Sequence, residues 1–324
     1  MADSVRVKWH FTERKLFISL NLYNTGQSTI IGHEIQLMAK HKQNLRVSIV
    51  IPVYNEAATI ADCLEAIAQQ TVKPFEVIVV DNNSSDETVK IAESYYFVKV
   101  IHEPRQGVVY ARDAGFSYAH GDIIGRIDAD TVIAENWVET LKEIFACSSI
   151  HGVSGSVSYH DVALARVANW FDQTLRRYLA HRLGRYLGMQ GANMAIRRCV
   201  WRAVKQEVCN AKDMHEDLDL SIHCAEMGFR NVYDERLVAS LSFRQAGSSF
   251  IGFAQYVMLN PHTYARHYLK IRRQMYPVVA LAILSFLPIK IVYKGFDPAT
   301  QRFSMYKLLE VPEGRRVNPA TFVD

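Results

Sequence analysis

From Arg46 onward the sequence alternates short runs of β-branched residues with stretches of helical spacing, and this alternation constrains the fold more than any other feature of the chain. Val47 to Pro52 (VSIVIP) is a continuous apolar run of the kind that forms a strand buried on both faces. Glu56 to Gln70 follows, with Ile60, Cys63, Leu64 and Ile67 at helical spacing. The pattern then predicts a strand at Phe75 to Val80, a helix at Ser84 to Ser94, a third strand at Val98 to Ile101, a helix at Gly107 to Ala119 and a fourth strand at Asp122 to Ile127. Units of this size imply right-handed βαβ crossovers, and hence an α/β fold built on a mostly parallel sheet flanked by helices. Residues 1–45 do not share the pattern. They read as an N-terminal extension whose periodic part, Ser28 to Lys42, predicts a short helix.

A hydrophobic fraction of 49% against 22% charged residues excludes a disordered chain, and 324 residues can bury a sizeable core. The formal charge of +4 is too mild to imply a nucleic-acid partner. Cys63, Cys147, Cys199, Cys209 and Cys224 are odd in number, widely separated and without a CxxC pair that would suggest a zinc or redox motif, so they read as reduced thiols. With no apolar leader at the N-terminus, the expected location is the cytoplasm.

In open α/β sheets ligands bind beyond the carboxyl ends of the strands, which directs attention to three loops. These hold Tyr54-Asn55-Glu56, the turn from Asp81 to Asp86, and Asp128-Ala129-Asp130. If strand geometry continues, Asp128 and Asp130 point the same way and offer two hard oxygen donors to Mg²⁺ or Mn²⁺; the alternative is that they cap the next helix. The Asp81 to Asp86 loop is dense in turn formers and helix-capping residues, and equally suited to reading a base and its ribose. No GxGxxG follows the first strand and no GxxxxGK[ST] occurs, so hydride transfer and P-loop hydrolysis lose support, and a bound metal becomes the natural partner of a diphosphate.

VSIVIPVYNE (47–56), VIVVDNNSSDET (77–88), RQGVVYARDAG (105–115), IDAD (127–130) and HEDLDLSIHCAEMGF (215–229), in this order, resemble the family 2 glycosyltransferases, inverting nucleotide-sugar enzymes of GT-A fold. The resemblance implies a GT-A domain over 46–240 and a C-terminal helical region and tail over 241–324. It implies a donor site lined by Pro52, Tyr54 and Glu56, with Asp81 and Asn82 at the base or ribose and a basic side chain from the segment Arg105, Gly107 and Arg112 facing the donor. Asp128, Ala129 and Asp130 match the DxD motif, with Asp128 and Asp130 as ligands of Mn²⁺ or Mg²⁺. Asp217, beside Glu216, takes the position of the general base; the alternative for this pair is an acidic helix N-terminus. GMQGANMAIR (188–197) resembles the strand beneath acceptor and donor sugar, which brings in Gly191 and Asn193; the alternative is a tight turn before a core strand.

The implied function is sugar transfer from a UDP-, dTDP- or GDP-sugar to a glycan or lipid-linked acceptor, as in polysaccharide biosynthesis. Asn82 stands where many relatives have Asp, which leaves the base open, and Phe243-Arg244-Gln245 does not replace the QxxRW of processive relatives. The competing readings are a non-catalytic nucleotide-sugar-binding module and a nucleotidyltransferase, which would need a basic glycine-rich loop where VYNEAAT stands. A helical stretch from Val162 to Tyr186 carries Arg176, Arg177, His181, Arg182 and Arg185. It reads as a solvated basic face or as a surface for anionic lipid head groups or a lipid-linked pyrophosphate acceptor. Basic residues also flank the apolar segment Tyr276 to Ile289, bracketed by Pro277 and Pro288, which is shorter than the roughly 20 residues of a membrane span and reads as an interfacial or re-entrant segment or a buried core helix.

Overall fold

The computed structural model describes residues 8–12, 15–19, 45–159, 165–184, 188–211, 213–241, 249–297 and 302–304. The chain divides into two compact units, 1–44 and 45–324. In the first, β1 (Lys8–Thr12) and β2 (Lys15–Ser19) form an antiparallel pair that places Trp9 opposite Ile18 and Phe11 opposite Leu16. This hairpin follows from a two-residue apolar alternation that the reading of 1–45 overlooked. The helix expected at Ser28 to Lys42 lies outside the described residues.

The second unit is built on one sheet of order β5-β4-β3-β6-β9-β8-β10-β7. Its first half comprises β3 (Val47–Val53), β4 (Glu76–Asp81), β5 (Val98–His102) and β6 (Ile123–Arg126), all parallel, at the positions the alternation predicts. Between them run α1 (Ile60–Ala68), α2 (Thr88–Glu93) and α3 (Val108–Tyr118). The sheet then becomes mixed: β9 (Met194–Arg197) runs antiparallel to both β6 and β8 (Gly152–Tyr159). Strand β10 (Asn231–Leu241) pairs parallel with β8, and β7 (Val132–Ile133) pairs antiparallel with β10.

Strand β3 is buried on both faces, as a central parallel strand must be. Val47, Ile49, Ile51 and Val53 enter one core with Cys63, Leu64, Trp137 and Leu141, the last two from α4 (Trp137–Ala146). Val50 enters the other with Phe116 of α3, Trp201 of α6 (Arg198–Val204), and Leu220 and Cys224 of α7 (Glu216–Glu226). Gly115 lets α3 close on the sheet: a Cβ there would lie 2.3 Å from Val50 Cγ1 and 2.8 Å from Val80 Cγ2.

Helix α5 (Ala165–Leu183) lies inside the stretch expected from Val162 to Tyr186, and Arg185 lies outside the described residues. The C-terminal region forms α8 (Phe250–Arg266) and α9 (Arg272–Gly295), joined by a stack of Phe253 on Phe286 with ring centroids 4.3 Å apart. Helix α9 continues through Pro277 and Pro288, so the apolar stretch expected to end at these prolines is the middle of a longer helix. Among the described residues no helix is long and apolar enough to cross a membrane. A short antiparallel pair, β11 (Phe296–Asp297) and β12 (Arg302–Phe303), follows; most of the expected tail, and Phe243-Arg244-Gln245, lie outside the described residues.

Candidate active site

The loops after β3 and β4 are stitched together by polar side chains. Asn55 takes a left-handed conformation (φ 54°), and its Oδ1 accepts from the Ser85 N–H at 2.8 Å. The Glu56 N–H donates to Thr88 Oγ1 at 2.7 Å, and the Glu56 carboxylate accepts from Thr59 Oγ1 at 2.9 Å. Pro52 is the penultimate residue of β3, beside Val80 in register, with Tyr54 just beyond the strand end. Asp81 accepts from the Ser84 N–H at 3.0 Å and faces His102 Nδ1 at 3.1 Å.

Asn82 is buried, and its amide is committed to the neighbouring loop. Its Nδ2 donates to the carbonyls of Glu103 (2.9 Å) and Arg105 (2.7 Å), and its Oδ1 accepts from the Gly107 N–H (2.7 Å). These bonds hold the turn into α3, where Gly107 has a φ of 140° that L side chains rarely adopt. Arg105 stands at the surface in a bidentate pair with Glu103, Nε to Oε1 at 2.8 Å and Nη2 to Oε2 at 3.1 Å. Its hydrogen bonds hold the Glu103 carboxyl below the usual carboxylate range.

Arg112 does not reach solvent. Its side chain is fully buried and pairs with Asp113 and Glu216, donating from Nη1 to the Glu216 carbonyl at 2.6 Å and to its Oε2 at 3.2 Å. The cation beside the DxD is Arg126, which the motif reading missed. It is the last residue of β6 and 3% exposed; its Nη1 donates to Glu216 Oε1 at 2.6 Å and its Nη2 to Asp128 Oδ1 at 3.3 Å. The available signal was a lone charge inside the apolar run that leads to Ile127-Asp128. Glu216 is thus clamped between two buried guanidiniums, and one of them extends to Asp128.

Asp128 begins a turn in which its N–H donates to Thr131 Oγ1 (3.2 Å) and its carbonyl accepts from the Thr131 N–H (3.0 Å). Ala129 is buried, while Asp128 and Asp130 are partly exposed. Burial pushes the Asp128 carboxyl up to about 6, with Asp130, Glu216 and Asp217 adding to the shift and Arg126 opposing it. The side chain remains 43% exposed, so the carboxylate packs on protein on one side and is open to solvent on the other. Beneath the motif, burial, with Asp130, Asp128, Asp62 and Glu56 adding to it, pushes the Cys63 thiol well up, which marks it as an inert packing group.

Helix α7 delivers the second acidic pair. Asp217 Oδ2 accepts from the Gly191 N–H at 2.9 Å and Oδ1 from the Leu218 N–H at 2.7 Å, which fixes the carboxylate while each oxygen keeps a second lone pair. Gly191 opens the single-turn helix Gly191–Asn193, and a Cβ on it would lie 2.6 Å from Arg126 Cζ. Only glycine lets this backbone rest on the guanidinium. Asn193 is fully buried: its Oδ1 accepts from Trp137 Nε1 (2.8 Å), and its Nδ2 donates to the carbonyls of Ser156 (2.8 Å) and Leu237 (2.9 Å). The structure therefore brings Asp128, Asp130, Gly191, Glu216 and Asp217 to one cleft, joined through Arg126. It places Asn82, Arg112 and Asn193 behind that surface as supports.

A family model, Glycosyl transferase family 2, matches residues 48–201, the stretch that runs from β3 through the DxD to the helix after β9. Residues 48–201 belong to glycosyl transferase family 2. Among curated relatives, glycosyltransferase GlyG of Streptococcus pneumoniae is 35% identical over 102 residues, 30% of this chain and 34% of that protein. An undecaprenyl-phosphate 4-deoxy-4-formamido-L-arabinose transferase from Shewanella sediminis is 29% identical over 231 residues, 68% of this chain and 66% of its own length. The matches to GlyG and to AglE of Haloferax volcanii span only 34% and 40% of those proteins. Among solved structures, the mannosyltransferase PcManGT from Pyrobaculum calidifontis, in complex with GDP-mannose and Mn²⁺, superposes with a TM-score of 0.54 at 18% identity over 87% of each chain. The family 2 segment has the GT-A architecture.

Proposed function

We propose that this family 2 domain transfers a sugar, with inversion, from a nucleotide-diphosphate sugar to a glycan or lipid-linked acceptor. The observation that supports this most is the convergence of two acidic pairs on one glycine turn. Asp217 accepts from the Gly191 N–H at 2.9 Å, and Arg126, packed under Gly191, reaches both Glu216 (2.6 Å) and Asp128 (3.3 Å). Donor and acceptor chemistry must meet within a few ångströms, and this turn is where they would meet.

In this reading the nucleotide lies along the loops after β3 and β4, between Tyr54, Glu56 and Asp81, with Asn82 and Gly107 shaping the wall. The carboxylates at the cleft floor outnumber the guanidiniums beside them, and their hard oxygens suit a divalent ion held by Asp128 and Asp130. Such an ion, Mn²⁺ or Mg²⁺, would supply charge neutralisation to the departing diphosphate. Asp217, oriented by two backbone N–H donors, takes the proton of the acceptor hydroxyl as that oxygen attacks the anomeric carbon from the face opposite the diphosphate. Glu216 and Arg126 hold that carboxylate and the DxD in one register. The ion that PcManGT binds and the undecaprenyl-phosphate acceptor of the Shewanella relative fit this assignment.

A lipid-linked acceptor places the domain at a membrane surface, and α9 has the face for it. Tyr276, Leu281, Leu284, Leu287 and Ile291 are exposed at helical spacing, and Arg272, Arg273 and Lys290 stand nearby to meet anionic head groups. The cytoplasmic face of the membrane is the matching location.

Release of nucleoside diphosphate from a panel of UDP-, dTDP- and GDP-sugars, offered with lipid-phosphate and glycan acceptors, tests the proposal. Turnover of one donor by the wild type, lost in Asp217→Asn, supports it. Turnover that survives this substitution overturns the assignment of the base.

A further inference from the structure

Further along α7, one to two turns beyond Glu216, four side chains from three segments meet. Cys209 comes from the loop after α6, Asp219 and His223 lie one turn apart on α7, and His267 follows the last residue of α8. Their ligand atoms, Sγ, a carboxylate oxygen and two imidazole nitrogens, all lie within 4.8 Å of one another. His267 Nε2 is 2.9 Å and His223 Nε2 3.5 Å from Asp219 Oδ1, and Cys209 Sγ is 3.7 Å from His223 Nε2. Tetrahedral zinc, with bonds of about 2.0 to 2.3 Å, sets neighbouring ligand atoms about 3.3 to 3.6 Å apart. Two of the three edges already have nearly that length.

The surroundings match as well. Both rings turn Nε2 inward and Nδ1 towards one carboxylate, Glu226 Oε2, at 3.8 Å from His223 and 3.9 Å from His267. A carboxylate behind the outer nitrogen is the usual support of a metal-bound histidine. The Asp219 side chain is 0% exposed, that of His267 8% and that of His223 14%. The second oxygen of Asp219 accepts from the Cys209 N–H at 2.9 Å, which holds the loop so that its thiol faces the histidines. Two imidazoles and a carboxylate alone would make an ordinary charge network, but that network gives no reason for a thiol turned into it.

We propose that Cys209, Asp219, His223 and His267 bind one Zn²⁺ in a closed, four-ligand structural site. The thiolate selects zinc over the hard ions that suit the DxD, and four protein ligands leave no open coordination position. The ion would pin the C-terminal end of α8 and the loop after α6 to the helix whose first turn carries Glu216 and Asp217. The ligands are 10, 4 and 44 residues apart, a spacing that a search for CxxC pairs passes over. The site stands whether or not the cleft transfers a sugar.

Metal analysis of the purified full chain, dialysed against metal-free buffer, should find about one zinc per chain. Asp130→Ala should retain the zinc, which separates this site from the cleft, whereas Cys209→Ser and His267→Ala should lose it. Stripped wild-type protein titrated with Co²⁺ should develop a thiolate-to-cobalt charge-transfer band, a reading that does not depend on any variant folding well, and the band should be absent in Cys209→Ser. Wild-type protein that carries no zinc and gives no such band would overturn the proposal, as would a zinc content unchanged in Cys209→Ser.

Discussion

Arg126→Met removes the cation that joins the two acidic pairs while keeping an unbranched side chain of similar reach. Arg126 is 3% exposed and donates to Glu216 Oε1 at 2.6 Å and to Asp128 Oδ1 at 3.3 Å. Breaking a buried pair by removing one partner costs about 3 to 5 kcal/mol. Arg112 still donates to Glu216 Oε2 at 3.2 Å and Asp128 is partly hydrated, so the loss belongs at the lower end, about 3 kcal/mol. For a domain of this size that is a fall in Tm of about 6 to 12 °C, readable by thermal denaturation followed by circular dichroism. Gly191→Ala strikes the same guanidinium from above, because its Cβ would lie 2.6 Å from Arg126 Cζ. The two substitutions should therefore be non-additive, with Gly191→Ala costing less in the Arg126→Met background, where the flexible thioether can yield. A Tm lowered by less than about 2 °C in Arg126→Met, or strict additivity in the double variant, would refute the idea that this residue locks the cleft.

Other outcomes follow from the same geometry. Asp217→Asn should retain nucleotide binding measured by calorimetry and lower turnover by about 10² to 10⁴, the usual worth of a general base; equal loss of both would show that Asp217 holds the site together instead. Asp130→Ala should abolish the metal-dependent part of nucleotide binding, and unchanged binding would remove Asp130 from the ligand set. Because Arg105 depresses the Glu103 carboxyl, their pair contributes stability above the ordinary carboxylate pKa that is lost as pH falls through the lowered one. Arg105→Ala should thus narrow the gap between neutral and acid Tm, and only slightly, because the arginine is 64% exposed and its pair is screened by solvent. Leu284→Glu, on the exposed face of α9, should weaken sedimentation with anionic vesicles and leave Tm within about 2 °C.

The sequence made the parallel half of the sheet legible because a strand buried on both faces must be apolar throughout, and Val47 to Pro52 and Phe75 to Val80 are such runs. The antiparallel turn of the sheet at β9 was not legible: Met194–Arg197 is short, and its partners β6 and β8 are set by long-range packing rather than by local pattern. Site residues at strand ends could be named, but a motif does not tell which side chains face a cleft and which support it. Asn82 and Asn193 carry polar amides that a motif reading places on a ligand, yet both are buried and bonded to backbone carbonyls. Arg126 was hidden for the opposite reason, since a charge inside an apolar strand is informative only once its partner Glu216, 90 residues away, is brought to it. The prolines of α9 suggested boundaries, but each removes a single backbone donor, and packing such as the Phe253 and Phe286 stack accompanies the helix through them.

In the proposed function Asp128 and Asp130 would hold the diphosphate end of a nucleotide-sugar donor through a divalent ion. Calorimetric titration of the purified chain with UDP, dTDP and GDP, each with Mn²⁺ and again with chelator, tests it without knowledge of the acceptor. One nucleotide should bind with Mn²⁺ and lose its affinity when the ion is removed or when Asp130 is changed to Ala. Binding that is indifferent to metal, or no binding of any of the three, would contradict it.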